Sequence, residues 1–253
     1  MNAVRWETRD GVGFLTLDHP PVNILTRDVL AQCRAVLDAA TADQTLRVLL
    51  LRAEGRHFSA GADVGEHLPG SWEDMIPEFI ATIQQLDAFP IPVVAAVQGR
   101  CLGGGFELVL PADLIIAADD AAFGQPEIVL GVMAPAACAL LPDILPATHA
   151  AHLLYSGDPL TAPDALRLGL VHQVVPVSEL ASAADALVQR IARHSRAALR
   201  ATKAALKGDR LAERRARLER MGDRYAHDLM TTRDAVEGLT AFLEKRRPQW
   251  SHA

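Results

Sequence analysis

The chain has 253 residues, of which 50% are hydrophobic and 22% are charged, so it is long enough to bury a sizeable core as one domain. Its net charge of −6 argues against a nucleic-acid binder that is held by bulk electrostatics. Three cysteines, an odd number without metal-like spacing, predict a reduced cytoplasmic protein with small, buried thiols.

The chain also lacks the sequence signals of export and membrane insertion. Its first residues have no apolar segment of the signal-peptide kind. The longest apolar run, residues 128–141, is interrupted by Pro135 and is shorter than the roughly 20 residues that a membrane helix needs. We therefore expect a soluble protein with no export signal.

The predicted elements begin with two strands that are joined by a hairpin at Asp10-Gly11. Thr26 is a predicted N-cap, because apolar residues at helical spacing follow it as far as Ala40. The predicted strands before the glycine run lie at residues 4–8, 12–17, 48–51 and 92–97, and a further helix lies at residues 72–86. Continuous apolar runs such as residues 48–51 indicate strands that are buried on both faces.

The second half of the chain becomes progressively more helical. A helix is predicted to start near Glu107, with a buried strand at residues 114–117, and this alternation favours α/β layers over a β-sandwich. Beyond about residue 145 the pattern predicts a short helix at residues 162–168, a short strand at 171–175 and helix over 202–243. This last part is interpreted as a helical appendix rather than a separate domain.

Two segments of small residues carry the functional signal. The first is Phe58-Ser59-Ala60-Gly61-Ala62-Asp63-Val64, and the second is Gly103-Gly104-Gly105-Phe106-Glu107, followed by Gln125-Pro126-Glu127. Small residues let the backbone approach a ligand closely, so that free N–H groups can point at a developing negative oxygen. Two glutamates can then supply acid and base, a combination that thioester enolate chemistry requires. The glycine spacing fits neither a dinucleotide fingerprint nor a P-loop.

The ordered motifs resemble the crotonase (enoyl-CoA hydratase/isomerase) superfamily nearly from end to end. Besides the two segments above, the resemblance rests on His19-Pro20-Pro21-Val22-Asn23, Phe123-Gly124-Gln125-Pro126-Glu127 with Gly131, the segment at residues 165–171, and Phe242-Leu243-Glu244-Lys245-Arg246. It implies an α/β fold, a spiral of ββα units with a C-terminal helical region used for trimerisation. It also implies one domain over residues 1–253, with a core to about 195 and the helical region from about 196, and a homotrimer or a homohexamer built as a dimer of trimers.

The resemblance also implies the roles of individual residues. The N–H groups of Ala62 and Gly104 would form the oxyanion hole, and Glu107 and Glu127 would share the acid–base work of adding water to an enoyl-CoA or dienoyl-CoA. The residues that would contact coenzyme A are Ala60, Asp63 and Val64, together with Phe242 and Lys245 from a neighbouring subunit. Asp63 is interpreted as structural rather than catalytic. Coenzyme A would be part of the substrate, with no metal and no redox cofactor.

The segment after Gly131 departs from the family pattern. Ordinary hydratases continue with glycines there, whereas this chain has Val132-Met133-Ala134-Pro135-Ala136-Ala137. Pro135 falls where a glycine N–H often holds the catalytic water, and proline has no N–H. Similar segments occur in members resembling cyclohexa-1,5-dienecarbonyl-CoA hydratase, which motivates the hypothesis of a cyclic or conjugated enoyl-CoA substrate. The alternative is a general enoyl-CoA hydratase with a diverged loop.

Two other functions are compatible with parts of this sequence. An enoyl-CoA double-bond isomerase needs only one carboxylate, and a non-catalytic protein could keep the fold for assembly or RNA binding. The basic residues of the C-terminal helices are interspersed with acidic ones, which favours a solvated helical face over an RNA surface. The histidines considered, none of which forms a His-x-x-x-His metal pair, are His19, His57, His67, His149, His152, His172 and His194.

Overall fold

The computed structural model describes residues 2–252, so the predicted domain limits at residues 1 and 253 lie outside the described part. The strands are β1 (Val4–Arg9), β2 (Val12–Leu17), β3 (Val48–Ala53), β4 (Val93–Val97), β5 (Arg100–Leu102), β6 (Leu114–Ala118), β7 (Ala122–Gly124), β8 (Leu160–Thr161) and β9 (Gln173–Val175). The larger sheet has the order β1-β2-β3-β4-β6-β9, and all its pairings except β1 with β2 are parallel.

Helices cover both faces of this sheet. They are α1 (Arg27–Ala42), α2 (Trp72–Asp87), α3 (Gly104–Val109), α4 (Pro135–Ile144), α5 (Ala147–Ser156), α6 (Ala162–Arg167), α7 (Leu180–Ala192), α8 (Arg196–Asp223) and α9 (Arg233–Leu243). One apolar cluster joins α1 and α2 to the sheet, and a second cluster joins α7 to the opposite face. Neighbouring residues of a strand, such as Leu49 and Leu50, enter different clusters because successive side chains point to opposite faces.

Most of the predicted elements are confirmed. The side chain of Thr26 accepts a hydrogen bond from the Val29 N–H at 3.2 Å and caps α1 as expected. All five residues of β4 are buried, as a doubly covered parallel strand requires. The α/β class is therefore confirmed, and a helical C-terminal region follows residue 196.

The small second sheet, of order β5-β7-β8, was not predicted. Its strands have only two or three residues, too few to show an alternating pattern. It nevertheless positions the glycine run, because β5 leads directly from β4 into Gly103 and pairs in parallel with β7. One short strand therefore lies between the predicted strand at residues 92–97 and the glycine run.

The prediction of a solvated basic face on α8 is wrong for three of its residues. Lys203 and Arg214 are each only 7% exposed. Both the Lys203 and the Lys207 ammonium groups lie 2.8 Å from carboxylate oxygens of Asp113, and Arg214 lies 3.2 Å from Asp87. Asp87 and Asp113 lie far from α8 in the sequence. The spacing of charges along α8 therefore could not reveal that these two carboxylates pair with its basic side chains. No helix among residues 2–252 is both long and apolar enough to cross a membrane.

Candidate active site

The two small-residue segments lie side by side in the structure. The N–H of Phe58 donates to the Gln98 carbonyl at 2.9 Å, and the N–H of Leu102 donates to the Ser59 carbonyl at 3.0 Å. The Ser59 hydroxyl donates to the Asn23 carbonyl at 2.7 Å, which ties the His19-Pro20-Pro21-Val22-Asn23 loop to the same place. Backbone hydrogen bonds therefore fix the first segment against the glycine run.

Ala62 and Gly104 face each other across this junction. A Cβ added to Gly104 would lie 3.2 Å from the Ala62 Cβ and 3.3 Å from the Ala62 nitrogen. Among the described residues, neither the N–H of Ala62 nor that of Gly104 donates a hydrogen bond, and Gly104 is the first residue of α3, where N–H groups have no partner within the helix. Gly103 has φ of 52°, a left-handed conformation that glycine adopts without strain. Two free donors thus converge on one point.

Glu107 lies one turn into α3 and is held by the start of another helix. Its Oε1 accepts a hydrogen bond from the Ala137 N–H at 2.8 Å, and the Ala136 N–H also stabilises its charged form. The side chain is 3% exposed, and burial raises its pKa to about 7 in spite of these two donors. The first turn of α4 is therefore directed at this carboxylate.

Glu127 comes from the 3₁₀ turn Pro126–Leu130 and approaches the glycine run closely. A Cβ on Gly103 would lie only 2.5 Å from its Oε1. With its amide nitrogen turned toward the carboxyl, Gln125 donates to Oε2 at 3.0 Å and to Oε1 at 3.3 Å. Burial first, and then the negative charge of Glu107, raise the pKa of Glu127 well above its ordinary value. The charge of one carboxyl disfavours ionisation of the other, so the pair holds a proton to a higher pH than a free carboxyl does.

The free N–H groups and the two carboxyls meet at one small cavity of about 20 Å³. Ala62, Gly104, Glu107 and Glu127 all border it, so the structure brings together the four residues predicted for the oxyanion hole and the acid–base pair. The remaining walls of the cavity are His67, Met75, Ile76, Phe79, Met133 and Pro135. A space of this size suits one water molecule.

Pro135 borders the cavity, at the place where the family pattern predicts a residue that holds the catalytic water. It is the first residue of α4 and has no N–H to offer, while the N–H groups of Ala136 and Ala137 are occupied by Glu107. The start of α4 therefore stabilises the carboxylate but leaves no backbone donor for a water molecule.

The predicted coenzyme A contacts fall into two groups. Ala60, Asp63 and Val64 are half-buried and lie beside the oxyanion segment. The Asp63 carboxylate accepts a hydrogen bond from the Glu66 N–H at 3.1 Å, which is a structural role. Phe242, in contrast, lies exposed in the last turn of α9, Lys245 lies exposed just after that helix, and neither borders the cavity of this chain.

Sequence reasoning missed three polar residues near the site. Gln125 lies within a motif that drew attention to Glu127, and His67 is one of several scattered histidines. The His67 Nδ1 lies 2.8 Å from the Asp63 carbonyl, so it carries the proton and leaves Nε2 as an acceptor. Tyr225, in a π-helical turn after α8, packs its ring against His67. Only the position of His67 next to the first segment could have signalled this group. No cluster of metal-ligand residues is found within residues 2–252.

Comparison with known proteins agrees with this geometry. A profile of the family described as enoyl-CoA hydratase/isomerase matches residues 7–253. The cyclohexa-1,5-dienecarbonyl-CoA hydratase of Thauera aromatica is 39% identical over 248 residues, which cover 98% of this chain and 96% of that protein. The 2,3-dehydroadipyl-CoA hydratase of Escherichia coli K12 is 36% identical over 243 residues, 94% of each chain.

Solved structures show the same architecture. An enoyl-CoA hydratase/isomerase from Pseudoalteromonas atlantica T6c superimposes with a TM-score of 0.90 at 27% identity and covers 98% of this chain and 100% of that one. The chain therefore belongs to the enoyl-CoA hydratase/isomerase family, the crotonase superfamily, and has its fold. It is an enzyme of the hydro-lyase class, an acyl-CoA hydratase.

Proposed function

We propose that the protein adds water reversibly to an enoyl-CoA or dienoyl-CoA thioester through an enolate held by Ala62 and Gly104. The observation that carries this proposal is that Ala62 and Gly104, whose N–H groups are free, line one water-sized cavity together with the carboxyls of Glu107 and Glu127. An ionised and a protonated carboxyl side by side are the base and acid that hydration of a double bond uses.

The proposed reaction follows from these protonation states. The thioester oxygen accepts hydrogen bonds from Ala62 and Gly104, and Glu107 takes a proton from the water as its oxygen bonds to the electron-poor end of the conjugated system. The displaced electron pair moves to the thioester oxygen, which forms the enolate. The enolate then takes the proton of Glu127 on carbon, and the proton gained by Glu107 passes to Glu127 and restores the starting state. The reaction uses no metal or redox cofactor.

The proposed acyl group is cyclic and uncharged. In support, the relative from Thauera aromatica acts, by its name, on cyclohexa-1,5-dienecarbonyl-CoA. Glu127 also borders a second, apolar cavity of about 360 Å³, and no lysine or arginine among the described residues lines either cavity to pair with an acyl carboxylate. An acyl ring is far larger than the 20 Å³ cavity, so we expect adaptable side chains such as Met75 and Met133 to move on binding.

The remaining proposals concern coenzyme A and assembly. The backbone of Ala60, Asp63 and Val64 would contact the adenine end, and Phe242 and Lys245 would reach the coenzyme A of a neighbouring subunit in a homotrimer or a dimer of trimers. The exposure of Phe242, at 54%, and its distance from its own cavity support a role across an interface. Free thiols at all three cysteines support a reducing, cytoplasmic setting.

Three thioesters assayed side by side test the substrate. We expect fastest loss of the conjugated absorbance with cyclohexa-1,5-dienecarbonyl-CoA, slower loss with crotonyl-CoA and least with 2,3-dehydroadipyl-CoA. Crotonyl-CoA as the best substrate by a wide margin would rule out the cyclic proposal. Migration of a double bond without uptake of water, surviving in Glu107→Gln and lost in Glu127→Gln, would indicate an isomerase instead.

A further inference from the structure

Tyr225 presents a polar group that nothing in the folded chain explains. Its side chain is 1% exposed, and its hydroxyl has no hydrogen-bond partner within residues 2–252. A buried donor left without a partner is unfavourable, and phenylalanine would fill the same space without that cost. An unpaired hydroxyl at such a place indicates a partner that arrives with the reaction.

The position of Tyr225 links it to the catalytic cavity. Its ring meets the ring of His67 edge-on at a centroid distance of 6.0 Å, and His67 is a wall of the cavity. Burial, followed by the negative charges of Glu127 and Glu107, raises the pKa of the tyrosine, so the hydroxyl stays protonated and the carboxyls are close enough to act on it. It is therefore a neutral donor beside the reacting groups.

The attacking water lacks a donor elsewhere in the site. A bound water usually makes two to four hydrogen bonds. Glu107 and the Nε2 atom of His67 can only accept, while the N–H groups of Ala136 and Ala137 are occupied and Pro135 has none. The free N–H groups of Ala62 and Gly104 belong to the thioester oxygen. Apart from the acid Glu127, whose proton is needed later, the unpaired donor next to the cavity wall is the hydroxyl of Tyr225, whose ring packs on His67.

We propose that Tyr225 is a third catalytic residue of hydration, whose hydroxyl donates a hydrogen bond to the attacking water and so replaces the backbone donor that Pro135 cannot supply. The proposal rests on the hydratase function proposed above. Because the water accepts this hydrogen bond, both of its hydrogens stay free: one is transferred to Glu107 and the other is donated to His67 Nε2. The remaining lone pair of the water oxygen then points at the substrate.

The test compares Tyr225→Phe with Thr41→Val, a matched loss of one hydroxyl on α1 at a residue that lines neither cavity. Two reactions are measured: hydration of the enoyl-CoA and exchange of the α-hydrogen of butyryl-CoA and cyclohexanecarbonyl-CoA with D2O. Exchange needs the oxyanion hole and Glu127 but no held water. In Tyr225→Phe we expect kcat for hydration to fall about 10- to 100-fold, because one hydrogen bond to the attacking water is lost. KM and the rate of α-hydrogen exchange should be nearly unchanged.

A restored backbone donor provides a second test. Pro135→Ala returns an N–H to the first position of α4, so the double variant Tyr225→Phe/Pro135→Ala should recover part of the lost kcat. Unchanged hydration in Tyr225→Phe, or hydration and exchange falling together with the melting temperature, would overturn the assignment. A wild-type protein that hydrates none of the thioesters would instead overturn the proposed function itself.

Discussion

At the residue scale, the surroundings that prepare Glu107 and Glu127 for acid–base work also lower the stability of the folded chain at high pH. Both carboxyls have raised pKa values in the folded chain, chiefly because of burial, and that of Glu107 is about 7. Folding then favours their protonated forms. Their contribution to stability is fully present below the unfolded pKa near 4.5. It is lost progressively as the pH rises above that value, and for Glu107 the loss is complete once the pH passes the folded pKa of about 7.

We therefore expect Glu127→Gln to stabilise the protein at alkaline pH while abolishing its activity. At pH 8 the free energy of unfolding should rise by roughly 1–3 kcal/mol, because folding no longer has to protonate Glu127 or bury its charge beside Glu107. The same change should lower kcat by roughly 10²- to 10⁴-fold through loss of the acid. Urea unfolding at pH 5 and pH 8 measures the first effect, with the exposed Glu213→Gln as control. Equal stabilisation at both pH values would contradict the shared-proton interpretation.

Gly104 is needed for space as well as for its N–H. The Cβ of Gly104→Ala would lie 3.3 Å from the Ala62 nitrogen, where the thioester oxygen is proposed to bind. We expect kcat/KM to fall about 10²- to 10³-fold, as for loss of an oxyanion donor. Gly208→Ala, at an exposed position of α8 with open space around it, is the control and should stabilise the helix slightly. An active Gly104→Ala enzyme would remove Gly104 from the oxyanion hole.

At the scale of elements, the sequence was most informative where the pattern was long. The apolar runs of β3, β4 and β6 and the cap at Thr26 follow from local chemistry and were predicted. The three-residue strand β5 was not, because its pairing with β7 depends on residues far along the chain. Likewise, Glu107 and Glu127 stand in motifs, whereas Tyr225 lies in a mostly polar stretch outside any motif and carries no local signal of its place.

The packing of α8 depends on its buried basic residues. Arg214 lies 3.2 Å from Asp87, which is 3% exposed and whose pKa burial raises against the effect of the nearby arginine. Arg214→Met should destabilise the fold by roughly 3 kcal/mol, because it leaves the carboxylate buried with only the more distant Lys207. The neighbouring Arg215→Met, on a side chain that is 72% exposed, should cost under about 1 kcal/mol. Thermal unfolding that ranks the two variants equally would contradict a buried ion-pair anchor.

At the scale of the whole molecule, the proposal that a neighbour's Lys245 reaches coenzyme A predicts that the site depends on assembly. If a neighbour's Lys245 contacts coenzyme A phosphates, Lys245→Ala should raise KM for a CoA thioester about 3- to 10-fold, the range of an exposed charge pair. KM for the matching pantetheine thioester, which lacks the nucleotide, should not change. Arg247→Ala, two residues further along the same exposed segment, is the control. Light scattering shows whether active protein is trimeric or larger. Full activity in a monomer, or an equal rise in KM for both thioesters, would place Lys245 outside the coenzyme A site and leave each subunit with a self-contained cavity.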